Sequence, residues 1–206
     1  MKTFLYCSLS VVALALATTM HAAVIEFDLS PPGATAGTGM SPLNEVIPPN
    51  STGSGGVLMP GITFDTTSLM LNLSLGYGAA FGFTDLSASA FAWLLHGPSI
   101  ATETAPVLFN LGSLHTFAND PSRGGVIFGS LTLTASQASD LIGGLDYINI
   151  YTPGNLGGEI RGQLIAVPEP STMVLLFTGI MGVAAISLVR RSSIRVRSKS
   201  APLRRE

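Results

Sequence analysis

Cysteine is nearly absent: Cys7 is the single one, and it lies in the first segment of the chain. With that segment removed, no thiol remains. A disulfide framework, a thiolate nucleophile and a cysteine metal site are all excluded. Charge is scarce too, at 11% of residues. Between Val24 and Val167 only Arg123 and Arg161 are basic, against ten acidic residues, a net of −8. Such an acidic stretch is a poor partner for nucleic-acid phosphates. No G-x-S-x-G, P-loop or H-E-x-x-H pattern and no paired-carboxylate motif occurs. Asp65, Asp85, Asp120, Asp140 and Asp146 are scattered and form no D-x-[DN]-x-[DN]-G calcium loop.

What the chain does have is an apolar run at each end. Lys2 gives a charged start, Leu5 to Ala17 an apolar stretch, and Ala22-Ala23 a small-residue cleavage point. Residues 1–23 therefore read as a signal peptide, cut after Ala22 or Ala23. Near the other end, Met173 to Val189 is uncharged over seventeen residues. As a helix it would rise about 25 Å, close to the ~30 Å of a bilayer core, and Ser171 and Thr172 can extend it through back-bonded hydroxyls. Gly179, Gly182, Ala184 and Ala185 give this span one thin side for another helix. Arg190 to Glu206 carries seven bases and one acid, a net of +6. Positive residues at Lys2 and after Val189 place both ends inside and the middle of the chain outside. The tail, 192–206, is then a topology determinant rather than a nucleic-acid arm.

Directly before the span stands Val167-Pro168-Glu169-Pro170-Ser171-Thr172, and directly after it Arg190-Arg191. The two prolines keep the motif out of helix and hold it extended. Motif, helix and arginines together, over 167–191, closely resemble a PEP-CTERM sorting signal. The resemblance implies a bacterial protein, anchored for a time in the membrane and cut by an exosortase, a membrane-embedded processing protease. Its product would go to the outer surface or to extracellular polysaccharide. One departure is the fifteen residues, Ser192 to Glu206, that follow the arginines.

The remaining residues, 24–166, suffice for one domain with a core. Apolar residues alternate with polar ones at Leu69, Leu71, Leu73 and Leu75, at Leu131 and Leu133, at Ile148 and Ile150, and at Ile160 and Leu164. This is strand periodicity. Further strands are expected over 24–29, 57–64, 90–95, 107–111 and 125–128. Pro48-Pro49-Asn50, Asn119-Asp120-Pro121 and Pro153-Gly154-Asn155 supply turns. One short helix is expected from Ser136, as its cap, to Ile142, ended by Gly143-Gly144. Ser30 to Ser41 and Pro48 to Gly56 read as loops. The fold class is all-β, an antiparallel sandwich or barrel.

Three blocks of this domain resemble the chordin-type (CHRD) family. Leu43-Asn44-Glu45-Val46-Ile47-Pro48-Pro49 is similar to its opening L-x-G-x-x-E-V-P-P motif. Trp93-Leu94-Leu95-His96-Gly97-Pro98 is similar to its A-H-I-H-G-P motif. Tyr147-Ile148-Asn149-Ile150-Tyr151-Thr152 followed by Gly157-Gly158-Glu159-Ile160-Arg161-Gly162-Gln163-Leu164 is similar to its end. The resemblance implies an immunoglobulin-like or related all-β fold and no general activity. It also places three histidines together in the family pattern, where this chain has Leu94, His96 and Tyr151. His96 is thus the one candidate metal ligand, and a single imidazole is a poor transition-metal site. No cofactor is expected.

His96 reads more simply as a strand-end residue bonded to the following turn, and His115 as a loop or strand-edge residue. Glu159 and Arg161, at i and i+2, would share one strand face and form an ion pair or contacts to a neighbouring strand. Glu45 would bond to loop backbone or to Arg161. Phe91 and Trp93 read as core. The chain is therefore expected to be an exported, non-enzymatic surface or matrix protein. A metal-dependent, superoxide-dismutase-like enzyme and a permanently membrane-anchored binding protein are the alternatives.

Overall fold

The structure is a computed structural model and describes residues 24–30, 39–118 and 123–167. The expected signal peptide (1–23), the expected span 173–189, Pro168, Glu169, Pro170, Arg190, Arg191 and the tail 192–206 lie outside these residues. Among the described residues, no helix is long and apolar enough to cross a membrane.

Among the described residues, ten strands and one α-helix follow one another: β1 (Val24–Leu29), β2 (Gly55–Val57), β3 (Ile62–Asp65), β4 (Met70–Tyr77), β5 (Ala92–His96), β6 (Val107–Asn110), β7 (His115–Phe117), β8 (Gly125–Thr132), α1 (Ala135–Ile142), β9 (Tyr147–Thr152) and β10 (Asn155–Ala166). Every pairing is antiparallel, and the spatial order is β6-β5-β9-β10-β1-β3-β4-β8-β7, with β2 added beside β4. The fold is mostly β and antiparallel, as expected, with one short helix; it is a single sheet rather than a two-sheet sandwich or a closed barrel. The architecture is one sheet curled into a half-barrel. Its two terminal strands, β6 and β7, are joined by only the short segment 111–114.

The alternation read from the sequence explains the inner face. Leu71, Leu73 and Leu75 of β4, Leu95 of β5, Ile127 of β8, Ile148 and Ile150 of β9, and Ile160 and Leu164 of β10 are all buried. The curl brings β5 against the far half of the sheet. Trp93 Nε1 donates to Tyr77 Oη at 3.0 Å, and the Trp93 ring stacks on His115 at 3.7 Å. Tyr77 Oη and His115 Nε2 are 2.7 Å apart. These three residues tie β5, β4 and β7 together.

Four elements differ from the expectation. The strand expected over 57–64 is split into β2 and β3. Pro60 cannot donate to a ladder, and Gly61 turns at φ 111° with its N–H on the Leu58 carbonyl. Leu69 lies in the β3–β4 turn at φ 56°, so β4 begins at Met70. The two strands expected around Gly125 and Leu131 are one continuous β8. The helix is capped by Thr134 rather than Ser136. Thr134 accepts from the Gln137 amide while the Gln137 side chain accepts from Thr134 N–H, a reciprocal capping box.

Candidate functional site

β9 and the part of β10 from Gly158 to Leu164 are interior to the sheet and buried on both faces. Their inner face is aliphatic. Register places Leu94 opposite Asn149, His96 opposite Tyr147, Arg161 opposite Asn149 and Gln163 opposite Tyr147 on the other face. That face is polar, and it is roofed by two loops. Ser41 and Arg161 exchange backbone hydrogen bonds at 3.0 and 3.2 Å, which anchors the turn carrying Glu45. Asn44 Nδ2 adds a bond to the Arg161 carbonyl at 2.8 Å. The second roof is the loop between β5 and β6.

Arg161 is the centre of this cluster and is 1% exposed. Its guanidinium donates to the carbonyls of Glu103 at 2.8 Å and Ile100 at 3.2 Å, and to Gln163 Oε1 at 3.1 Å. Its carbon lies 3.5 Å from the centre of the Tyr147 ring, a cation–π contact. The His96 ring is stacked on the same tyrosine, 4.9 Å away and 3° from parallel. Tyr147 Oη accepts from Ala105 N–H at 3.0 Å. The arginine thus fixes the β5–β6 loop through carbonyls that only a rigid multi-donor fork can reach together.

His96 is fully engaged. The Ala105 carbonyl, 2.9 Å from Nδ1, can only accept, so Nδ1 carries the proton. Nε2 then accepts from Tyr151 Oη at 2.9 Å. Burial, together with the positive charge of Arg161, holds the imidazole below its ordinary pKa, and the Ala105 bond offsets only part of this. Burial first, then Tyr147 and Glu45, push the Tyr151 phenol up to about 12. Two positions where the family resemblance places histidines are therefore occupied by Leu94, opposite Asn149, and by Tyr151, which spends its hydroxyl on His96. Among the described residues, no group of three or more His, Cys, Asp or Glu could hold a metal ion.

Glu45 stands beside Arg161 without a direct hydrogen bond to it. Asn149 Nδ2 donates to Glu45 Oε2 at 3.3 Å, while Glu45 Oε1 and Asn149 Oδ1 are both buried without a partner. Burial pushes the Glu45 carboxyl up to about 7, although the Arg161 charge and the Asn149 bond pull it down. A proton on Oε1 would turn one of the two unpartnered acceptors into a donor, next to a carbonyl oxygen that lacks one. Both side chains fit because residue 158 is glycine: at φ 112°, a Cβ there would collide with Glu45 Oε1 and the Asn149 amide.

Glu159 does not join this cluster. A bulge between Asn155 and Ile160 breaks the alternation, so Glu159 and Arg161 take separate partners. The Glu159 carboxylate is fully buried and accepts from the Ser51, Ser87 and Thr152 hydroxyls, from the Ser87 amide and from Asn155 Nδ2. Burial raises its pKa, but these donors outweigh burial and the net shift is downward. An acid so saturated is a tie between loops and not a free base.

Sequence reasoning missed Tyr147, Asn149 and Gln163, because alternation with isoleucines reads as solvent exposure and gives no sign of the loops overhead. It also missed Asp146, which is 0% exposed with neither carboxylate oxygen hydrogen-bonded. Burial, and then nearby Asp140, pushes Asp146 up to about 7. Trp93 is core, whereas Phe91 is 53% exposed just ahead of β5.

The polar face, its two roofing loops and the half-barrel coincide with a family model. The CHRD domain model matches residues 37–164, so the chain belongs to the CHRD-domain family. A second model, the PEP-CTERM protein-sorting motif, matches residues 166–191. No curated protein and no solved structure matches the chain.

Proposed function

We propose that this protein is an exported, non-enzymatic CHRD domain of the cell surface or extracellular matrix. Its precursor is held in the membrane by residues 173–189 and released by an exosortase that reads Val167, Pro168, Glu169 and Pro170. Residues 1–23 are removed as a signal peptide, and Arg190-Arg191 marks the inner end of the span. The observation that carries this reading is the sorting motif, matched over 166–191 directly behind the folded domain. The family match is compatible with the immunoglobulin-like relation proposed for the half-barrel.

The non-enzymatic part rests on how the charged family residues are used. Arg161, Glu159 and His96 spend their hydrogen bonds on loops and strands of their own domain. Their role is to hold a scaffold, and extracellular polysaccharide is the proposed setting for it. The test is to substitute Glu169→Gln, and separately to delete Arg190 and Arg191, and to follow the protein by intact mass in membrane and medium fractions. Both changes are expected to leave a membrane-bound form. An unchanged released fraction in both would overturn the sorting reading. A wild-type mature chain that retains residues 173–206 would establish the permanently anchored alternative.

A further inference from the structure

The sorting signal begins inside the sheet. Its matched range starts at Ala166, the last residue of β10. Ala166 pairs with Phe27 of β1, Ile165 pairs with Asp28, and Leu164 pairs with Leu29. Past the strand, Val167 N–H still donates to the Glu26 carbonyl at 2.8 Å. Pro168 follows at once, so no linker separates the domain from the motif. Between Val167 and the apolar run at Met173 lie five residues, which span at most about 18 Å when extended.

A protease takes hold of an extended substrate through main-chain hydrogen bonds on both sides of the cut. The residues upstream of Pro168 already spend theirs on β1. We propose that the pairing of β1 with the end of β10 gates release: residues 165–167 must leave β1 before the motif can seat in the protease. The proposal rests on the exosortase reading above. Peeling has a natural limit. Val167 is exposed and Ile165 and Ala166 are only partly covered, but Leu164 is fully buried. Opening of a strand end by two or three residues is a local event that leaves the core in place. β1 is also the first strand after the signal peptide, so the segment freed by the first cleavage restrains the second.

The test uses the full chain in a host with a matching exosortase, and follows conversion of the anchored to the released form after pulse labelling. A six-residue Gly-Ser spacer between Val167 and Pro168 supplies free upstream residues. Release is expected to become several-fold faster. The same six residues in the open Pro153–Gly154 turn are expected to leave the rate unchanged. A second variant, Phe27→Val, weakens β1 from its core side without touching the motif, and it too is expected to release faster. If neither the Val167–Pro168 spacer nor Phe27→Val accelerates release, the gate is overturned. If Glu169→Gln and the deletion of Arg190 and Arg191 both still release at the wild-type rate, the exosortase reading fails and the gate falls with it. Blocked release in Glu169→Gln, with neither the spacer variant nor Phe27→Val accelerated, removes the gate alone.

Discussion

Tyr151 Oη donates to His96 Nε2 at 2.9 Å, and this bond closes the imidazole that the sequence offers as its one metal ligand. With Nδ1 committed to the Ala105 carbonyl, neither ring nitrogen is free. The purified domain is therefore expected to carry no stoichiometric zinc or copper, and His96→Ala to leave its metal content unchanged. Elemental analysis decides this: a stoichiometric metal lost in His96→Ala would restore the metalloenzyme alternative.

The Glu45–Asn149 contact predicts a pH dependence. The Glu45 carboxyl is raised from its ordinary 4.5 to about 7, so the folded protein holds a proton that the unfolded chain has released across this interval. Its contribution to stability is complete below about 4.5 and is lost as pH rises through 7. Asp146, raised to about 7 by burial, acts in the same direction. Stability measured by denaturant is expected to fall between pH 5 and 7.5. Glu45→Gln, which carries a permanent donor in place of the proton, is expected to flatten part of that slope. An unaltered slope would refute the assignment.

His115 acts in the opposite sense. Burial depresses its imidazole to about 4. The unfolded chain takes up a proton near 6.5 that the folded protein refuses, so stability is complete above 6.5 and declines as pH falls through 4. Replacing it by phenylalanine keeps a ring against Trp93 but removes the Tyr77 bond. His115→Phe should unfold less steeply with acid than the wild type, read by Trp93 fluorescence. Equal acid midpoints and slopes would count against the role given to His115.

Gly158 and Gly157 make an internal comparison. A Cβ at residue 158 meets Glu45 and Asn149 at φ 112°, whereas one at residue 157 meets nothing within 4 Å. Gly158→Ala is expected to cost about 2 kcal/mol or more through backbone strain and displaced buried groups. Gly157→Ala is expected to stay within about 0.5 kcal/mol. Thermal melts of the two variants side by side check the contrast.

Arg161→Lys keeps the charge and loses the fork. A single ammonium cannot serve the Glu103 and Ile100 carbonyls and Gln163 while lying flat on Tyr147. Loss of about 2–3 kcal/mol is expected, with faster proteolysis in the loop between His96 and Val107. Wild-type proteolysis in that loop would show that Arg161 does not hold it.

The inner face was legible in the sequence because its signal is local. Leu71, Leu73 and Leu75, or Ile148 and Ile150, declare a face by period alone. The outer face was not, because its burial depends on chain far away: Glu45 reaches Asn149 across 104 residues, and Arg161 reaches Glu103 across 58. The sequence marked Glu45, His96, Glu159 and Arg161 as a set. The structure divides them, since the bulge before Ile160 turns Glu159 away from Arg161, and no period-two reading foresees a bulge.

β10 bonds to β9 through Ile160–Gln163 and to β1 through Leu164–Ala166, so the last strand among the described residues is an interior strand that joins two parts of the sheet. A chain crossing a membrane from its N-terminus delivers β1 first and its partner last. Until Ala166 emerges, the two halves of the sheet have no common strand, and β1 waits through more than a hundred residues for half of its hydrogen bonds. Contacts of such long sequence separation close slowly. Arrival of the sorting signal at the membrane and completion of the fold are thus one moment in the life of the chain.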